Sequence, residues 1–411
     1  MLEMRRERVF NVLICFFLLP ALFSSPWEVS AGEMTVVPSI DITAGYDDNV
    51  YYTRTEKESD YTTTVKPGFE LNYKSELYTL RSRGYVDLIR YLDNSNLDRE
   101  NYYGLLDGDV SLTERMRLKG KFSFLNDTTL DSQLDETGIV TTRTDRKRYD
   151  GGGELTYRVT ERSNAGISYN RQAVRYGSEL YNDYDYDYVG LIYGHSFNNG
   201  LDQLTVNPYY GDWRSDISSV DNYGLSLGIL HTFSETLTLE GSVGLRYTDT
   251  ERSYKRGEII FDPDTGTFRV VEKEEKKKDS DWGGTANIQL KKTWIRSSLT
   301  AGYSHELTYS SSDGNAEPVN VDRIFCSVEH KITSRFRAGL AGSFYITKSE
   351  SEFGDRDTRY ISLTPSLDYE IARNYSLRLA YSYSRETDRT LDDSPDYERN
   401  RVWLTFSARF L

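Results

Sequence analysis

Cysteine is almost absent from this sequence, with only Cys15 and Cys326 in 411 residues. Once an N-terminal leader is removed one thiol remains, so an intrachain disulfide is excluded. With four histidines in all, there is no zinc cluster and no haem-attachment CxxCH motif. Proline (9) and methionine (4) are scarce, and hydrophobic residues make up only 37%. That is too little apolar material for a large soluble core. After the leader no run of about 18 apolar residues occurs, which excludes a membrane protein built of helices. No Gly-rich phosphate-binding motif is present; Gly151-Gly152-Gly153 falls mid-strand, where it eases curvature or close packing. What is abundant is tyrosine (33), glycine (30) and charge (28% of residues, net -14). So many aromatics argue against a disordered chain. The composition leaves a large all-β protein with polar side chains on one face and aromatic and aliphatic ones on the other.

Residues 1–31 read as a secretory signal peptide. Arg5, Arg6 and Arg8 form the basic segment, Val9 to Phe23 the apolar one, and Val29-Ser30-Ala31 the cleavage site before Gly32. Cys15 lies inside the apolar segment without a small residue before it, which argues against a lipoprotein leader. Residues 32–411 then form one domain.

One phrase repeats along that domain: a strand, a turn of about three residues, a second strand, a longer polar loop. Short turns fall at Lys74-Ser75-Glu76, Thr113-Glu114-Arg115, Thr160-Glu161-Arg162, Ser234-Glu235-Thr236, Thr333-Ser334-Arg335 and Ala372-Arg373-Asn374, among others. Longer loops fall near 47–58, 93–99, 127–147, 177–183, 214–219, 252–279, 310–319, 350–356 and 388–396. Alternating short periplasmic turns and longer extracellular loops predict a single antiparallel transmembrane β-barrel of about 18 strands, from about Thr35 to Leu411.

Side-chain parity agrees, since successive residues of a strand face opposite sides. From Phe336, one face reads Phe336, Ala338, Leu340, Gly342, Phe344, Ile346; the other reads Arg337, Gly339, Ala341, Ser343, Tyr345, Thr347. Aromatics gather at strand ends: Phe197, Phe233, Trp294, Phe336, Tyr369, Tyr375 and Phe410 by the short turns, and Tyr46, Tyr176, Trp213, Tyr247, Trp282, Tyr309 and Tyr360 toward the long loops. These predict two interfacial girdles. Pro67, Pro208 and Pro365 interrupt strands and predict bulges or register breaks. The 252–279 segment carries its own hairpin signal, 258–261 and 267–271 around Asp262-Pro263-Asp264-Thr265-Gly266. The turn lacks the full ligand set of a calcium loop.

His195, His231 and His330 each precede a short turn on an aliphatic face, the setting of a polar-tipped interfacial ring rather than a catalytic base. The face opposite the aliphatic one carries the more specific signal. Its bases are Lys66, Arg81, Arg83, Arg117, Lys119, Lys121, Arg158, Arg246, Arg323, Arg337 and Arg378, with further lysines and arginines such as Lys291. They outnumber the acids there, which include Asp41, Glu70, Asp87, Asp107, Asp109, Asp150, Glu154, Glu240, Glu329 and Asp368. In an acidic chain, a basic lumen beneath an acidic rim favours anionic solutes. The alternative is that these charges form cross-strand ladders that only brace the wall. Arg81, Arg83, Arg117, Lys119 and Lys121 face only Asp107 and Asp109 on the strand between them, with Asp87 nearby, so a basic surplus is expected there.

Gly45-Tyr46-Asp47-Asp48-Asn49-Val50 after the first strand, Pro67-Gly68-Phe69-Glu70-Leu71 in the second, and the strand rhythm to the C-terminus resemble the β-barrel porin families associated with exopolysaccharide loci of Gram-negative bacteria. The ending Arg409-Phe410-Leu411 departs from the terminal aromatic common in such barrels. The resemblance implies an outer-membrane channel, with polysaccharide export as one use, and supplies no catalytic residue. The expected function is a porin-like channel for anionic solutes or exported polysaccharide. The alternatives are a sheath around a periplasmic partner such as a multihaem cytochrome, and a non-conducting structural or adhesive surface barrel. Neither cofactor nor metal is expected. The expected partners are outer-membrane lipid and lipopolysaccharide, the barrel-assembly machinery and a periplasmic polysaccharide-export component, without nucleic acid.

Overall fold

The computed structural model describes residues 32–138, 142–197, 200–262, 267–310, 317–349, 356–389 and 396–410. The leader lies outside them. Eighteen strands run β1 (Glu33–Asp47), β2 (Asp60–Lys74), β3 (Tyr78–Tyr91), β4 (Arg99–Ser111), β5 (Met116–Thr128), β6 (Asp145–Arg158), β7 (Ser163–Tyr176), β8 (Tyr184–Ser196), β9 (Asp202–Ser215), β10 (Ser218–Ser234), β11 (Leu237–Asp262), β12 (Thr267–Thr293), β13 (Ser297–Ser310), β14 (Glu317–Lys331), β15 (Phe336–Ser349), β16 (Arg356–Ala372), β17 (Tyr375–Asp388) and β18 (Tyr397–Arg409). Each pairs antiparallel with its neighbours in sequence, and β1 closes on β18 from Ser39↔Arg409 to Asp47↔Arg401. Closure satisfies both edges of the sheet, which lets strands cross lipid.

The outer surface is apolar where it meets lipid. Phe122, Leu225, Leu227, Val243, Leu245, Leu340, Leu363 and Leu404 are all exposed on it. A soluble protein would bury such a belt. The periplasmic girdle stands as read, with Phe197, Phe233, Trp294, Tyr369, Tyr375 and Phe410 exposed. The outer girdle is smaller than read. Tyr46 and Trp282 are exposed, and Tyr247 packs on Trp282 (ring centroids 5.3 Å). Trp213 and Tyr360, however, are buried, with Tyr176 and Tyr309 partly so. By parity Tyr176, Trp213 and Tyr360 face the lumen, because their strands extend beyond the membrane and their inner aromatics fill the mouth.

Two segments read as long loops are otherwise. β9 and β10 continue outward until only Asp216 and Ile217 join them. The 252–279 segment is the continuation of β11 and β12, paired from Leu237↔Lys292 to Asp262↔Thr267. The three prolines cause neither bulge nor register break. Pro67 pairs opposite Ile40, Pro208 opposite Leu225 and Pro365 opposite Leu340 without a shift. On its other side each interrupts the ladder, which resumes in the same register. A residue without an N–H loses pairing on one side only. The true shifts lie at Thr232/Ser234 and Glu370/Ala372, beside periplasmic turns.

Candidate functional site: the constricted lumen

Antiparallel register brings most lumenal bases opposite acids. Lys66 Nζ lies 3.0 Å from Asp87, Arg81 Nε 2.8 Å from Asp107, Arg83 Nη2 3.4 Å from Glu70 and Arg117 Nε 2.6 Å from Asp109. Lys119 Nζ is 3.8 Å from Glu154, and Arg378 Nε is 3.8 Å from Asp368. The surplus expected on β3 and β5 is therefore smaller than read, because Glu70 of β2 and Glu154 of β6 join Asp107 and Asp109. Among the described residues Lys121, Arg158, Lys291 and Arg337 have no ion-pair partner, and neither do the acids Asp41, Glu240 and Glu329. Arg323 lies over the rings of Phe325 and Tyr345, 5.2 Å from each centroid. Arg246 is buried and donates Nη2 to Asn320 Oδ1 (2.6 Å). A cavity of about 390 Å³ opens at the periplasmic foot of β5–β7, lined by the bases Arg115, Arg117, Lys119, Arg158 and Arg162 and by the acids Glu114, Glu154 and Glu161. Stacked tyrosine pairs also face the lumen: Tyr85 with Tyr103 (4.9 Å), capped by the Lys66 ammonium at 4.4 Å, and Tyr188 with Tyr209 (5.6 Å).

The extracellular half is narrowed from within. The β5–β6 connection does not stand outside the barrel. Thr128 and Asp131 form a reciprocal cap that starts a π turn (Thr129–Gln133), which runs into one α turn (Leu134–Thr137). Gly138 ends it at φ +70°, a conformation glycine adopts without strain. This unit reaches the opposite wall. Leu130 and Leu134 bury themselves against Val319 and Val321 of β14, Tyr345 of β15 and Tyr360 of β16, together with Tyr52 of the β1–β2 loop. Thr347 Oγ1 donates to Thr137 O (3.2 Å). A Cβ at Gly138 would lie 3.2 Å from those of Tyr345 and Tyr360, so the approach requires glycine.

Charge pins the near side of the unit. Arg99 Nε donates to Asp131 (2.9 Å). Arg146 Nε donates to Asp127 (3.2 Å) and its Nη1 to Glu136 (3.0 Å). Arg148 spans Glu136 (2.6 Å) and Asp150 (2.8 Å). Burial opposes ionisation of Asp131, yet the Arg99 guanidinium and the Arg143 charge hold its carboxyl down at about 2. Arg143 donates Nη2 to Val50 O (3.0 Å), tying this loop to the β1–β2 loop. A second aromatic cluster, Trp213, Val220, Tyr184, Tyr186, Ile217 and Tyr309, fills the β8–β10 side of the mouth.

The periplasmic histidines sit where parity placed them, each in the first rungs of a hairpin. His195 lies 2.9 Å from Ser163 Oγ, His330 2.8 Å from Ser297 Oγ, and His231 contacts Asp202. All three are cross-strand partners in register, and the repetition over separate hairpins fits an interfacial polar cap better than a single reacting centre.

Sequence reasoning missed the inward turn of the β5–β6 loop. Its signal was present in Thr128-x-x-Asp131 followed by Leu134. Leu130 and Leu134 are four apart, on one face of a helical turn inside an otherwise polar loop.

Residues 26–160 match the family described as "Putative beta-barrel porin 2". No curated protein matches the chain. Among solved structures the chain is similar to the copper transporter OprC (12% identity, TM-score 0.44), covering 88% of this chain and 65% of that one. It is also similar to Pseudomonas aeruginosa OccK9 (OpdG), at 15% identity and TM-score 0.45 over 92% of this chain and 99% of that one. A third is P. aeruginosa OpdK with vanillate, at 11% identity and TM-score 0.46 over 91% and 99%. The closed 18-stranded barrel, its apolar belt and the porin-family match place this chain in the outer membrane as a porin-like β-barrel.

Proposed function

We propose that the barrel is a narrowed outer-membrane channel that passes small anionic solutes in preference to cations. The observation that carries this reading is the lumen's pairing pattern. Ladders neutralise most wall charges, and among the described residues the bases left without acids include Lys121, Arg158, Lys291, Arg323 and Arg337, set against the unpaired acids Asp41, Glu240 and Glu329. Unpaired fixed charge raises the local concentration of its counter-ion. The basic cavity at the periplasmic foot extends the same bias to that mouth.

Passage of an anionic polysaccharide is a second reading, favoured by the lumenal tyrosines Tyr85, Tyr103, Tyr188 and Tyr209, aromatic wall residues that suit contact with sugars. The β5–β6 unit counts against the sheath, which needs an unobstructed bore. Liposome swelling tests the reading. Proteoliposomes should admit a monosaccharide carboxylate faster than the neutral sugar, and the neutral sugar faster than an amino sugar. Equal rates, or no swelling with any of the three, would overturn it.

A further inference from the structure

The wall is not zipped along its whole height. The β12–β13 ladder stops at Ala286↔His305, although both strands continue outward with their other partners. The same register carried further would set Thr285 opposite Glu306, Gly284 opposite Leu307, Gly283 opposite Thr308 and Trp282 opposite Tyr309. None of these pairs forms. Instead the outer ends of β13 and β14 lean inward. Tyr309 stacks on Trp213 (centroids 4.6 Å apart, planes 9° apart), and its hydroxyl accepts from Asn222 Nδ2. Asn320 Oδ1 accepts from Arg246 Nη2. Trp213, Asn222 and Arg246 have lumenal parity on β9, β10 and β11, whereas Tyr309 and Asn320 have lipid-side parity on β13 and β14. The outer face of one part of the wall thus lies against the inner face of another.

Two features mark this as one of two arrangements. Tyr210, Tyr223, Tyr247 and Trp282 are successive register partners across β9–β12 on the lipid face. Their rings meet at 5.1 Å (Tyr210–Tyr223) and 5.3 Å (Tyr247–Trp282). The next place in that aromatic row belongs by register to Tyr309, which has gone inside. Arg246 supplies the second feature. Its Nη1 donates to Gly284 O (3.3 Å), a backbone carbonyl of β12 just beyond the last β12–β13 rung. It lies so close to the strand that a Cβ on Gly283 would be 2.7 Å from Nη2. This guanidinium is buried without a carboxylate among the described residues, holding β12 on one side and β14 on the other.

We propose that the outer ends of β13 and β14 are a gate with two positions. The inward position is the one seen here, narrowing the mouth with Tyr309 on Trp213. In the zipped position the β12–β13 ladder runs on to Trp282↔Tyr309, Tyr309 completes the girdle, and the mouth widens. The inward position keeps the Trp213 stack and the Val319 and Val321 contacts with the inward loop. The zipped position exchanges them for backbone pairing and an interfacial ring, so a ligand that prefers one mouth shifts the balance. The gate rests on the channel reading.

The test uses the full barrel with Cys326, its free cysteine, replaced by alanine. Trp282→Cys with Tyr309→Cys places two thiols across the zipped register, within disulfide reach of each other. They lie on opposite sides of the wall in the inward position. Oxidation should form the cross-link, and single-channel conductance should at least double and return on reduction. Trp213→Cys with Tyr309→Cys, bridged by a short bifunctional thiol reagent, should hold the conductance at its unmodified level. If the first pair fails to assemble, Tyr309→Ala with Asn320→Ala removes the inward contacts and should raise conductance by itself. Failure of the assembled pair to cross-link, or an unchanged conductance once cross-linked or once the inward contacts are removed, would overturn the gate. A cross-linked barrel that carries no current in either redox state would overturn the channel reading, and the gate with it.

Discussion

Leu340→Arg puts the membrane assignment at risk in one substitution. Leu340 is 46% exposed on the outer face of β15, between Val328 and Pro365. It stands four residues from Phe336, where the strand leaves its periplasmic turn. At about 3.4 Å per residue and a tilt of about 40°, that is about 10 Å into an apolar band about 25 Å tall. This depth is close to the midplane, where an arginine costs about 2–4 kcal/mol. A loss of about 3 kcal/mol is on the order of a hundredfold in the folding equilibrium. Ser343→Arg adds the same group three residues on, with lumenal parity, and should cost far less. Urea titrations in lipid vesicles, read by heat-modifiable gel mobility, compare the two. If Ser343→Arg is the damaging change and Leu340→Arg is silent, the inside and outside of this barrel have been exchanged and the lumenal residues are wrong.

Arg146→Ala should cost about 3–5 kcal/mol, because it strands Asp127, buried with it, and leaves Glu136 to Arg148 alone; the same urea titration reads this. The hold of Asp131 on the inward loop has a definite pH window. Its carboxyl is depressed from 3.8 to about 2, so its contribution is fully present above 3.8 and is lost as pH falls through about 2. In an Asp127→Asn background, which removes the other buried carboxyl that anchors the loop, resistance of the loop to added protease should therefore be the same at pH 7 and pH 4, and Asp131→Asn should lower it at both. A loop that loosens between pH 7 and pH 4 would contradict the depressed value.

Strands and their parity were legible because both follow from local alternation, and Phe336 to Thr347 could be sorted by reading every second residue. The ladder partners were not. Pairing Arg83 with Glu70 and Lys119 with Glu154 depends on register across hairpins, which short turns constrain but composition does not state. The outer mouth was the least legible part. Trp213 and Tyr360 look like girdle residues until the strand ends are known to rise above the membrane, where an inward ring meets other rings rather than lipid. Tyr309 has girdle parity and still lies inside, because the β12–β13 ladder ends four residues before it. The inward β5–β6 loop was written in Thr128, Asp131, Leu134 and Gly138, but its target, Val319 to Tyr360, lies on the opposite wall.

The direct measurement of the central claim is the reversal potential of the purified barrel in a planar bilayer under a salt gradient, for the wild type and for Lys121→Glu with Arg158→Glu. Neither lumenal base forms an ion pair among the described residues, so replacing them changes lumen charge without breaking one; Lys121 stands opposite Asp107, which Arg81 holds. At low salt, where screening is weak, the wild type should prefer anions and the double variant should lose or invert that preference. A cation-preferring wild type, or a reversal potential identical in both proteins, would contradict it.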